Sequence, residues 1–84
     1  MPLTNYVIQW HNIGTAEPRW EYKIQFFSDQ VAIDYCTRLM ERSWYLQINR
    51  ISLLLFNLNR DQLVAEIKPG HLSSEVADVR PRPV

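Results

Sequence analysis

The 84-residue chain has one cysteine, two glycines and two histidines, and its nine Lys/Arg are cancelled by nine Asp/Glu. Each scarcity excludes something. A lone Cys36 cannot close an internal disulfide. Two glycines are too few for a phosphate-cradling loop. His11 and His71 have no Cys, Asp or Glu at ligand spacing, so no metal site and no cofactor is expected. Zero net charge removes bulk electrostatics as a drive toward nucleic acid or anionic membranes, and nucleic acid ranks low among the expected partners. No basic segment followed by an apolar run opens the chain, so no signal peptide is expected. The longest apolar run, Leu53-Leu54-Leu55-Phe56, falls far short of the roughly 20 residues that cross a bilayer. Together these absences lead to the expectation of a cytoplasmic protein whose cysteine stays reduced.

Catalytic constellations are missing as well. No serine sits in a G-x-S-x-G turn. Asp29, Asp34, Glu41 and Asp61 read as capping, helix-face or turn carboxylates. Cys36 falls on an apolar helix stripe, where a thiol is structural and not nucleophilic. The chain is therefore not expected to be an enzyme.

What is present is hydrophobic: 46 % of the residues are apolar, too many for a disordered chain. All ten aromatics lie between Tyr6 and Phe56. From Pro69 onward the sequence reads PGHLSSEVADVRPRPV, with three of the five prolines and no aromatic. The organisation expected is one domain over 1–68 and a flexible, Pro-containing tail over 69–84, with Leu72, Val76 and Val79 as its only anchors for a partner.

Residues 5–11 are β-branched and aromatic and read as a strand. Asn, Gly and Pro in 12–18 mark a connection. Over 19–27, Trp20, Tyr22, Ile24 and Phe26 alternate with Arg19, Glu21, Lys23 and Gln25, the period of a half-buried strand. Ser28 reads as an N-cap with Asp29 in the first turn. Val31, Tyr35 and Leu39, with Ala32, Cys36 and Met40 beside them, form one apolar stripe and predict a helix over 29–43. Trp44-Tyr45 reads as a hydrophobic plug or an interface anchor. A third strand is expected over 47–57, a turn over 58–61 and a fourth strand over 62–68.

The order is ββαββ, an α+β fold with a mainly antiparallel four-stranded sheet and one helix packed on one face. Spatial order 2-1-3-4 makes every neighbour antiparallel and puts the most apolar strands in the centre. It leaves Glu21, Lys23, Glu66 and Lys68 on the edges, where charge discourages stray pairing. Side-chain parity assigns Ile8, Trp10, Trp20, Tyr22, Ile24, Phe26, Ile51, Leu53, Leu55, Leu63, Ala65 and Ile67 to the helix side. It assigns Val7, Arg50, Leu54, Phe56 and Val64 to the open face, whose centre is then apolar.

An apolar centre on an open sheet face marks an interaction site. The expected function is a non-catalytic protein-interaction module that self-associates, as a homodimer or other homo-oligomer, or docks on a larger assembly. The contact residues would be Val7, Arg50, Leu54, Phe56 and Val64, with the tail as a further contact. The second reading is a nucleic-acid-binding module using the same face, with Arg50 and Lys23 beside Phe56.

Overall fold

A computed structural model describes residues 2–70. The elements are β1 (Thr4–Asn12), β2 (Trp20–Phe26), α1 (Asp29–Arg42), α2 (Trp44–Ile48), β3 (Ile51–Asn57) and β4 (Gln62–Ile67). The sheet order is β2-β1-β3-β4 and every pairing is antiparallel. This is the ββαββ arrangement anticipated from the strand pattern. Residues 71–84, which hold most of the expected tail, lie outside the described residues.

The helix begins where its capping chemistry dictates. Ser28 is extended, and its hydroxyl accepts from the Val31 N–H at 3.3 Å. Ser43 then serves two helices. Its backbone N–H donates to the Leu39 carbonyl at 2.9 Å and ends α1. Its hydroxyl accepts from the Leu46 N–H at 3.2 Å and starts α2. The Gln47 side chain donates to the Met40 carbonyl at 3.0 Å and ties the short helix to the end of the long one.

This second helix corrects the expected third strand. Residues 47–50 are not extended; α2 and a corner occupy them, and β3 starts only at Ile51. Arg50 turns that corner with φ of 53°, in the left-handed region. Nor does Trp44 plug the core: it is 72 % exposed, and Leu46 is the α2 residue that is fully buried.

The core lies between the helices and one sheet face. Tyr6, Ile8, Phe26, Ile51, Leu53 and Leu55 supply the sheet side, Ala32, Cys36 and Met40 the α1 side, and Leu46 the α2 side. Burial pushes the Cys36 thiol up to about 11, so it stays protonated and inert at neutral pH.

One polar cluster fastens the helix start to the sheet. The Asp29 carboxylate accepts from the Tyr6 hydroxyl at 2.6 Å and from Asn57 Nδ2 at 3.0 Å, and it pairs with the Arg60 guanidinium. Asn57 Oδ1 in turn accepts from the Arg60 N–H at 3.1 Å, which shapes the β3–β4 turn. These donors, Tyr6 foremost, hold the Asp29 carboxyl below its ordinary range. Burial first, and then the bond to Asp29, pushes the Tyr6 hydroxyl up to about 12.

Candidate functional site

The second sheet face is covered by no described helix. Its side chains fall in rows set by the strand register. One row crosses the sheet as Lys23, Val7, Phe56 and Leu63. The next runs Glu21, Gln9, Leu54 and Glu66. The apolar centre expected from the sequence is therefore present, and its flanks are charged.

The strand register also moves one member. Leu55 pairs with Ala65, but Phe56 pairs with Leu63, so a bulge leaves Val64 as the extra residue. Beyond a bulge the alternation of faces is offset by one residue. Val64, expected on the open face, instead packs against the core, and Leu63, expected on the helix side, takes its place opposite Phe56. Leu63 is 54 % exposed. Arg50 is not in a strand at all, so it does not join Phe56 and Lys23 in a row.

Val7 is nearly buried by its neighbours, whereas Leu54 and Phe56 are half-buried and Leu58 is exposed. Val7, Gln9, Glu21, Lys23, Phe56, Leu58 and Asp61 line a shallow depression of about 390 Å³. A second depression, of about 210 Å³, lies at the other end, where residues 12–15 curl beside His11, Ser52, Leu54, Glu66 and Lys68. Leu63 and Leu58 are the surface residues that sequence parity missed. The signal for Leu58 was its place in a turn, where a large apolar side chain has little local reason to be.

Polar groups on this face bond to each other. The Gln9 amide bridges His11 and Glu21: His11 Nε2 lies 2.8 Å from Gln9 Oε1, and Gln9 Nε2 donates to Glu21 Oε1 at 2.9 Å. A carbonyl oxygen only accepts, so this assignment makes His11 Nε2 the protonated nitrogen. The chain borders Val7 and Leu54. Among the described residues no three His, Cys, Asp or Glu side chains cluster to hold a metal ion. No helix among them is long and apolar enough to cross a membrane.

The face thus combines a half-exposed apolar row, a hydrogen-bonded polar border and edge charges of both signs. No known protein family, curated protein or solved structure matches this chain.

Proposed function

We propose that this chain is a non-catalytic interaction module that self-associates through its open sheet face. The observation that supports this reading is the pair Phe56–Leu63, with Leu54 beside it, on a face that no described helix covers. A domain of this size buries only about 60 % of its unfolded surface and gains much from a second layer. Two such faces stacked about 10 Å apart form a sandwich-like core.

A second copy is favoured as occupant because each edge strand carries both signs. Strand β2 presents Glu21 and Lys23, and the β4 edge presents Glu66 and Lys68. A two-fold axis sets a surface against itself, so an edge with one acid and one base finds complementary charges on its own copy. Phe56 and Leu63 are the central contacts.

Light scattering on the chain at micromolar concentration tests this. The expected mass is twice the 10.0 kDa of one chain. Phe56→Glu is expected to halve it while leaving the far-UV circular dichroism unchanged. A single-chain mass for the unsubstituted protein at 100 µM, or a dimer that survives Phe56→Glu, contradicts the proposal.

A further inference from the structure

The helix side of the sheet is not evenly covered. Helix α1 packs mainly across β3 and β4 and reaches β2 less. The inward-facing row of β2 is therefore partly open: Trp20 is 58 % exposed, and Tyr22 and Ile24 are half-buried. Aromatic rings continue along this opening. Trp20 lies 6.1 Å from Tyr22, and Tyr35 of α1 packs beside Tyr22 and 5.2 Å from Phe26. At the other end Trp10 joins Trp20 at 4.9 Å and Tyr45 at 6.2 Å, and the Arg19 guanidinium stands 6.0 Å over the Tyr45 ring.

Tyr35, Arg38 and Arg42 of α1 follow i, i+3, i+7 and share one stripe. They line a depression of about 250 Å³ together with Leu39. Asp34 stands one turn before Arg38, and Glu41 lies one turn after Arg38 and next to Arg42. Asp34 is occupied by the Gln30 amide at 3.0 Å. Among the described residues the ion pair formed is Arg60 with Asp29, so Arg38 and Arg42 stand outside any ion pair although Asp34 and Glu41 are their neighbours on the helix. The aromatic opening is thus bordered by three arginines outside any ion pair, Arg19 at the Tyr45 end and Arg38 and Arg42 beside Tyr35.

We infer that this strip binds single-stranded nucleic acid, with bases stacking on Trp20, Tyr22 and Tyr35 and the backbone phosphates paired with Arg19, Arg38 and Arg42. Rings on a sheet with flanking cations hold single strands because every base offers a π-face and every phosphate a charge. A duplex keeps its faces stacked inside and cannot use the rings. The site lies on the opposite side of the sheet from the surface proposed for self-association, so it does not depend on that reading.

The test is fluorescence anisotropy of a labelled 12-nucleotide oligo(dT) titrated with the full chain at 25 mM salt, with a 12-base-pair duplex and a proline-rich peptide as competitors. Binding is expected to weaken with salt at a logarithmic slope of about −2, from about 0.7 per neutralised phosphate on single strands. Arg38→Ala and Arg42→Ala, both exposed, are each expected to flatten that slope by about 0.7 without altering the circular dichroism. Trp20→Ala is expected to weaken binding roughly five- to hundredfold, and Glu41→Gln to weaken it not at all. No anisotropy change at 100 µM protein overturns the inference. So does duplex that competes equally, or an affinity that Arg38→Ala and Arg42→Ala leave intact. Capture of the proline-rich peptide in place of the oligonucleotide assigns the rings to peptide recognition and overturns it too.

Discussion

Removing the Asp29 carboxylate tests how the helix is fastened to the sheet. In Asp29→Ala the Tyr6 hydroxyl and the Asn57 amide lose their acceptor; both residues are at most 2 % exposed, while the vacated carboxylate site is about a third exposed, so water recovers part of the loss. An orphaned buried donor costs about 1–3 kcal/mol. Arg60 is half exposed and recovers water, so its ion pair adds no more than about 1 kcal/mol. The expected loss is about 2–3 kcal/mol, set by the two donors. With a urea slope of about 1 kcal/mol/M for a small domain, the midpoint falls by about 2–3 M. The pH dependence has a definite sign. Because Asp29 is held below its ordinary value by its donors, its stabilisation is complete above about pH 4, the unfolded carboxyl value, and fades as pH falls through the lower folded value. The stability gap between the unsubstituted chain and Asp29→Ala is therefore full at pH 7 and narrows below about pH 4. Urea melts followed by tryptophan fluorescence at pH 7 and pH 3 measure both. A loss under about 0.5 kcal/mol, or a gap equal at the two pH values, refutes the reasoning.

Adjacent residues of β4 should respond oppositely. Val64→Ala removes packing against the core and is expected to cost about 1–2 kcal/mol. Leu63→Ala is expected to cost under about 0.5 kcal/mol in the dissociated chain, and the same urea melts at low protein concentration compare them. Ser43→Ala loses the α2 cap and is expected to cost about 1 kcal/mol, with the loss of amide-exchange protection concentrated over 44–48. Cys36 is expected to resist iodoacetamide at pH 8 until urea unfolds the chain. In a spectrophotometric titration Tyr6 and Tyr22 are expected to ionise near pH 12.

The strand order was legible because two kinds of pattern agreed. Period two over Trp20–Phe26 gave the cleanest strand, and the unbroken apolar runs in β1 and β3 identified the strands buried at the centre. Capping chemistry placed the start of α1 through Ser28. The cap at Ser43 was not legible: the apolar helix stripe runs up to it, and the third strand was expected from Gln47, where α2 still continues to Ile48. The open face was legible at Val7, Leu54 and Phe56. It was not legible at Leu63 and Val64, because a bulge exchanges their faces and parity has no local signal for it. The aromatic strip was not legible in the sequence for a different reason. Parity correctly placed Trp20 and Tyr22 on the helix side, but how far one helix covers a four-stranded face depends on where it sits, and α1 sits toward β4.

The central claim is that a second copy covers the open face across Phe56 and Leu63. Sedimentation equilibrium from 1 to 100 µM, run on the unsubstituted chain and on Leu63→Lys, tests it most directly. The mass is expected to rise toward two chains for the former and to stay at one for the latter. A mass of one chain throughout for both, or a dimer indifferent to the lysine, contradicts it.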